Sequence, residues 1–311
     1  MADPVDLAGD YNAFRHEAGA VWLPRDFVVV DGPDALSWLQ GQLSQDVDLP
    51  TGHSTWALLL QPQGKMVALL RVLRQADQRF VLETDGGFGP AVIDRLDRFK
   101  IRIKAEVGPL PWKCLAVRGP RSHDVLGGAA GTVVVGDWPG LPGADLVGEA
   151  PDPPDDVRLC SLEAYEVVRV EAGIPVMGKE LDENTIPAEA GVVDRSVSFT
   201  KGCYTGQELV ARIDSRGGNV PRRLHGVVMG GEVHPPAGAH LTAGGGDGGS
   251  GGRGGSGKDV GRLTSVVASP VRPATLALAY VGRAVTAPAD VTVTWGETSA
   301  PARVEPLPLV Q

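Results

Sequence analysis

The chain has 311 residues, with 29 Lys+Arg against 38 Asp+Glu and a net charge of −9. At roughly 100–200 residues per domain this suggests two domains or one composite one, and an apolar share of 42% excludes global disorder. No apolar run approaches the ~20 residues of a membrane span, the acidic balance argues against direct nucleic-acid binding, and the three widely spaced cysteines (Cys114, Cys160, Cys203) form no disulfide framework.

In chain order, Met1–Pro4 carries neither a basic nor an apolar signal region, so a reducing cytoplasm is the expected compartment. Phe27–Val30 reads as a buried strand. Asp31-Gly32-Pro33 then opens a helix, with Pro33 at an early helical position and Leu36, Leu39 and Leu43 on one face. Ser54–Leu60 and Met66–Leu73 flank the turn Pro62-Gln63-Gly64 as a hairpin, and Phe80–Glu83 is a third strand. Val92–Phe99 has helical spacing, and Ile101–Val107 alternates as a strand. Residues 137–157, rich in Pro, Gly and Asp, read as a linker or long loop. Ala164–Val170 reads as a strand.

Beyond about residue 222 the character changes. Leu224–Met229, Leu263–Ala268, Leu276–Val281 and Val291–Trp295 are short β-like runs separated by Gly/Pro turns, which predicts a separate all-β domain, a small barrel. Ala274–Val281 is the longest apolar run and is strand-sized. Residues 244–257 hold 10 Gly in 14 positions and read as a solvated loop. Its G-x-G-x-x-G and G-x-S-x-G matches have no strand-to-helix context and are set aside. With strands and helices interleaved in the first part, the fold class is α+β.

The stretch Lys201-Gly202-Cys203-Tyr204-Thr205-Gly206-Gln207-Glu208-Leu209-Val210-Ala211-Arg212 carries the chemistry. Thr205-x-x-Glu208 before Leu209 has the form of a capping box, so a helix starts here. Cys203 then precedes a helix N-terminus, and Lys201 adds a full positive charge nearby; both favour a thiolate. The two glycines permit a turn that projects the thiol. The plainer alternatives are a packed, inert Cys203, a Glu208 that only caps, and an ordinary i,i+4 pair between Glu208 and Arg212.

Lys201–Arg212 resembles the signature K-G-C-Y-x-G-Q-E-x-V-A-R of the YgfZ family of folate-binding proteins, matching at every motif position. Trp38-Leu39-Gln40-Gly41-Gln42-Leu43-Ser44-Gln45-Asp46, Gln63-Gly64-Lys65, Arg169–Pro175 and Ile186-Pro187-x-Glu189 resemble family segments in the same order. Val260-Gly261-x-x-Thr264-Ser265 and Ala277-x-Ala279-Tyr280-Val281 resemble the barrel shared with the glycine-cleavage T-protein. The resemblance implies a T-protein-like cloverleaf: residues 1–221 as a folate-binding region of two α/β lobes with a loop at 137–157, and residues 222–311 as a C-terminal β-barrel with the Gly-rich loop at 244–257. It implies tetrahydrofolate or a derivative as cofactor, iron–sulfur enzymes or assembly proteins as partners, no membrane association, support of enzymes such as tRNA-modifying ones, and Cys203 as the functional thiol with Lys201 beside it.

By the same resemblance, the aromatic that stacks on folate falls on Tyr165. Its partner near the N-terminus falls on or beside Arg25, which stacks as a guanidinium plane unless Trp22 substitutes. Arg169 and Glu171, two apart on a strand, share one face and either line the pocket or form a structural pair. Glu189 either accepts from the pterin or caps a helix. The acid that T-protein chemistry uses in the hairpin strand is missing from Met66-Val67-Ala68-Leu69-Leu70, which argues against aminomethyl transfer. A folate-dependent transferase or demethylase and a non-catalytic scaffold remain the alternatives. No two His stand at metal spacing, Cys114 and Cys160 each stand alone, and no metal site is expected.

Overall fold

A computed structural model describes residues 6–243, 257–271 and 273–310. In chain order α1 (Leu7–His16), β1 (Gly19–Leu23), β2 (Arg25–Asp31), α2 (Ala35–Gln42), β3 (Ser54–Leu60), β4 (Met66–Ala76), β5 (Arg79–Asp85) and α3 (Gly89–Arg98) come first. Then follow β6 (Glu106–Leu110), β7 (Lys113–Arg118), α4 (Ser122–Val125), β8 (Thr132–Val135), β9 (Gly143–Gly148), β10 (Arg158–Leu159), α5 (Leu162–Ala172), α6 (Val193–Ser196) and α7 (Gln207–Asp214). The chain ends in β11 (Arg222–Gly230), β12 (His240–Ala243), β13 (Lys258–Ala268), β14 (Ala274–Gly282), β15 (Ala289–Trp295) and β16 (Thr298–Glu305).

These strands build one sheet of order β3-β4-β5-β2-β6, a second of order β10-β1-β7-β9-β8, and a closed barrel β11-β14-β13-β12-β15-β16. The α+β expectation with a C-terminal barrel is borne out. Closing the sheet on itself leaves no unpaired edge, and the apolar run at 274–281 becomes β14, which pairs with both β11 and β13. The Leu58/Leu60/Met66 side of the β3–β4 hairpin packs with Val170 of α5, Val210 of α7, and Leu276 and Leu278 of β14. One apolar cluster thus joins the first sheet, two helices and the barrel.

The structure corrects several expectations. Residues 164–170 are not a strand but the body of α5, which begins at Ser161, whose side chain accepts from the Ala164 N–H, and ends at Gly173 in the left-handed conformation. Eight of its eleven residues are buried, the charged Arg169 and Glu171 among them, so burial surrounds the helix and no amphipathic period shows. The 137–157 stretch is not a linker: β9 lies inside it, between β7 and β8. Residues 101–105 are not a strand, and β6 starts at Glu106. Pro33 lies outside α2, ahead of its N-cap Asp34. The Gly-rich stretch 244–257 lies, except for its last residue, outside the described residues.

Candidate functional site

A cavity of about 260 Å³ opens where the two sheets meet α5 and α6. Sheet one contributes Trp56 of β3, Leu69 and Arg71 of β4, and Arg25 and Asp85; sheet two contributes Arg118 and Asp145. Tyr165 and Arg169 come from α5, four apart and so on one helical face, and Arg195 comes from α6.

The cavity floor is a buried charge network. Arg71 and Glu83 are directly opposite across β4 and β5, and the Arg71 Nε donates to Glu83 at 2.8 Å. Arg71 also reaches Asp145 at 2.7 Å, and Arg118 reaches it at 2.6 Å. Arg25 pairs with Asp85 and lies 3.6 Å from Glu83. Desolvation pushes the Asp145 carboxyl up, but the Arg118 and Arg71 guanidiniums overcome it and hold the group at about 2. Buried charges persist when they are paired and hydrogen-bonded in this way.

Cys114 does not stand alone. Its Sγ lies within 4.8 Å of the Glu83 and Asp145 carboxylates. Burial and those two carboxylates push its thiol well above the usual range. Three guanidiniums (Arg25, Arg71, Arg118) already face the three carboxylates (Glu83, Asp85, Asp145), so the cluster is charge-balanced as it stands.

The cavity walls are aromatic. Trp138 and Tyr165 lie with ring centroids 5.2 Å apart, and the Arg118 guanidinium sits 4.6 Å above Trp138. Trp56 is flanked by the guanidiniums of Arg71 at 5.6 Å and Arg195 at 5.3 Å. Two of these arginines keep an unpartnered donor: the buried Nε of Arg118 and of Arg195 each lack a hydrogen bond. Such groups cost roughly 1–3 kcal/mol when left unsatisfied, and both belong to residues that line the cavity.

The Lys201–Arg212 motif lies elsewhere, and none of its residues lines this cavity. The Lys201 ammonium donates to the carbonyls of Gln40, Leu43 and Gln45 at 2.7, 2.8 and 3.0 Å. An ammonium has three N–H bonds, so none is left for Cys203. Lys201 closes the C-terminal end of α2, and burial lowers it to about 8. The Thr205 N–H and hydroxyl both donate to Gly41 O. The capping-box expectation therefore fails: α7 is capped by Gly206 in the left-handed conformation without a side-chain bond. Gln207 instead reaches back to accept the Tyr204 N–H at 3.1 Å. Tyr204 is buried, while Gly202, Cys203 and Arg212 are exposed and Glu208 is exposed on the first turn of α7. The thiol is presented to solvent on a pinned loop.

A family model described as the GCVT N-terminal domain matches residues 24–135. The chain is 29% identical over 233 residues to the tRNA-modifying protein YgfZ of Edwardsiella ictaluri, covering 64% of this chain and 66% of that one. It is 26% identical over 307 residues to an aminomethyltransferase of Streptomyces coelicolor, covering 84% and 77%. An aminomethyltransferase T structure from Bartonella henselae superposes with a TM-score of 0.83 at 21% identity, over 99% of this chain and 90% of that one. The chain is a homologue of the YgfZ proteins on a GCVT-type fold.

Within this YgfZ homologue, Tyr165, Arg169 and Arg25 share the cavity, but Glu171 and Glu189 do not. Arg169 and Glu171 sit on a helix, where residues two apart point to nearly opposite sides. Arg169 reaches Glu180 at 3.1 Å and Ser265 of the barrel at 2.7 Å. Glu171 turns the other way, to Arg15 and the Tyr11 hydroxyl at 3.1 Å. Glu189 accepts from Arg222 at 3.0 Å and ties its loop to the barrel. Trp22 is exposed and also outside the cavity. Arg71, Arg118, Trp138, Asp145 and Arg195 were not anticipated. A charged residue inside an apolar strand, as in Leu69-Leu70-Arg71-Val72-Leu73, was the one readable signal, because Arg is rarely buried unless paired.

Proposed function

We propose that this protein is a tetrahydrofolate-binding accessory factor for iron–sulfur cluster assembly or repair, supporting cluster enzymes such as those that modify tRNA. The observation that carries the reading is the cavity with three aromatic walls and two unpartnered guanidinium N–H groups, Arg118 Nε and Arg195 Nε. A tetrahydrofolate carries a planar pyrimidinone with a carbonyl acceptor, a planar aminobenzoyl ring and an anionic glutamate tail. Aromatic faces take the rings, and the free donors take the acceptors. The thiol of Cys203 acts outside the cavity, on a protein partner, since it is exposed and the ligand site is not lined by its loop.

The rival is aminomethyl transfer, the activity in the names of several relatives. The chemistry of the cavity speaks against it. The residue after the hairpin that faces the cavity is Leu69, which holds no proton. The lining carboxylates are engaged: Asp85 with Arg25 and the Met177 N–H, Asp145 with Arg71 and Arg118, Asp137 with His123 and the Gly143 N–H.

Calorimetric titration with tetrahydrofolate tests the ligand, and rescue of cluster-dependent enzymes by the Cys203→Ser variant tests the thiol. Saturable binding with failed rescue is expected. Absence of binding overturns the folate reading, and full rescue overturns the role of the thiol.

A further inference from the structure

Ile103, Ala105 and Val107 pack on the core of the first sheet, as alternate residues of an extended chain do. Ile101 has the same spacing and does not join them. It is 77% exposed, the most exposed large apolar side chain among the described residues. The break falls at Arg102, with φ +59°, the one non-glycine residue at positive φ among the described residues. The Cβ of an arginine disfavours that conformation, and such strain gathers at functional positions. Its effect here is to turn Ile101 out of the core and into water.

The segment is anchored on both sides of this tip. The Arg95 guanidinium covers the Phe99 ring at 4.0 Å. The Lys104 N–H donates to Asp34 Oδ2 at 2.8 Å, and its carbonyl accepts the Asp34 N–H at 3.2 Å. Residues 98–104 hold four cations (Arg98, Lys100, Arg102, Lys104) and no acid, in a chain of net charge −9. Lys100 is matched by Asp97 at 3.3 Å and Glu106 at 4.0 Å. Arg98, Arg102 and Lys104 are exposed and have no carboxylate partner among the described residues. The thiol loop and this loop share α2. Lys201 and Thr205 grip its C-terminal end, Arg95 reaches Gln42 at 3.1 Å, and Lys104 closes on the N-cap Asp34. At 1.5 Å per residue, eight residues make α2 about 12 Å long, well within the breadth of a standard protein interface of about 800 Å² per side.

An aliphatic tip ringed by unpaired cations fits one kind of partner. Single-stranded nucleic acid uses aromatic planes for its bases, and the aromatic of this loop, Phe99, already lies under Arg95. An anionic lipid surface repels the chain as a whole. A lone myristoyl chain holds a protein to a membrane only marginally, and one isoleucine offers far less hydrocarbon. A protein pocket with an apolar floor and an acidic rim uses both features, since interfaces seat apolar anchors inside a polar rim. Resting on the proposal that Cys203 acts on a protein, we infer that the Ile101–Lys104 tip docks that protein, with Ile101 entering an apolar pocket and Arg98, Arg102 and Lys104 meeting carboxylates around it.

The test is complementation of cells that lack this protein, read as the activity of a cluster-dependent tRNA-modifying enzyme. The native chain, Cys203→Ser, Ile101→Asp and Arg102→Gly are compared at low and at about tenfold higher expression, a rise that offsets weakened docking by mass action. Ile101→Asp and Arg102→Gly are expected to lower the activity about tenfold at low expression and to regain it at high expression. Cys203→Ser fails at both. The two docking variants keep the native tetrahydrofolate affinity and Cys203 alkylation rate. Their urea midpoints do not fall, because Ile101 is exposed and glycine relieves the left-handed position. Full activity of Ile101→Asp at low expression, or a loss that high expression does not restore, overturns the inference and leaves the role of the thiol standing. Binding of total tRNA, or of vesicles of anionic phospholipid, that Ile101→Asp abolishes also overturns it, in favour of that surface. Full activity of Cys203→Ser, or no complementation by the native chain, overturns the proposed function and this inference with it.

Discussion

Gly64 and Gly206 lie back to back: a Cβ on Gly206 would fall 3.3 Å from Gly64 Cα, 2.6 Å from Gln61 O and 2.8 Å from Leu60 Cβ. The glycine of the β3–β4 hairpin and the glycine that caps α7 thus let the motif loop seat directly on the first sheet. Both adopt positive φ, +77° and +85°. Gly202, by contrast, has nothing within 4 Å of its virtual Cβ. Gly206→Ala is expected to cost about 2–4 kcal/mol through backbone clash and left-handed strain. Gly202→Ala stays within about 0.5 kcal/mol. Urea unfolding of the two variants checks the contrast, and equal costs would refute the back-to-back packing.

Asp145 links acid stability to the cavity. Its folded value of about 2 lies below the 3.8 usual for an aspartate. The folded state therefore binds fewer protons than the unfolded one between these values. The stabilisation is fully present above about pH 4 and is lost as pH falls toward 2, amounting to about 2 kcal/mol. Asp145→Asn leaves Arg118 buried beside a neutral amide and should cost about 3–5 kcal/mol at pH 7. The gap between native and variant should narrow as pH drops from 4 to 2; a constant gap would show that Asp145 is not held ionised by its arginines.

Arg195 separates binding from stability. Burial lowers it, it has no acid partner among the described residues, and its Nε is unsatisfied. Arg195→Met should therefore leave the melting temperature unchanged or raise it, as expected where a strained site is relieved. Tetrahydrofolate affinity should fall about tenfold or more. A large drop in stability with binding retained would assign Arg195 to the core instead.

The three thiols should differ in the native protein. Cys114 is buried and raised well above its usual range, Cys160 is raised to about 12 by burial, and Cys203 is exposed. One equivalent of an alkylating reagent is expected to react fast, at Cys203, with the others released only on unfolding. Lys201→Met, which removes three bonds to α2 and its following loop, should lower stability and leave the alkylation rate of Cys203 unmoved. A labelling rate that falls in this variant would restore Lys201 as an activator.

Local pattern alone determined the β3–β4 hairpin and the barrel strands β11, β13, β14 and β15, but not β12 or β16, because turn residues and short apolar runs act over a few neighbours. Ser54–Leu60 matches β3 residue for residue. The same local logic failed for α5, whose β-branched residues read as a strand once burial on all sides had erased the helical period. It failed again for β9, whose flanking Pro and Gly hid a central strand. Only the tertiary structure decided which charges share a cavity. Arg71, Arg118, Asp145 and Arg195 come from four separate elements. Their ion pairs and open donors exist only once two sheets and two helices converge to exclude water, and nothing in the spacing of those residues along the chain encodes that convergence.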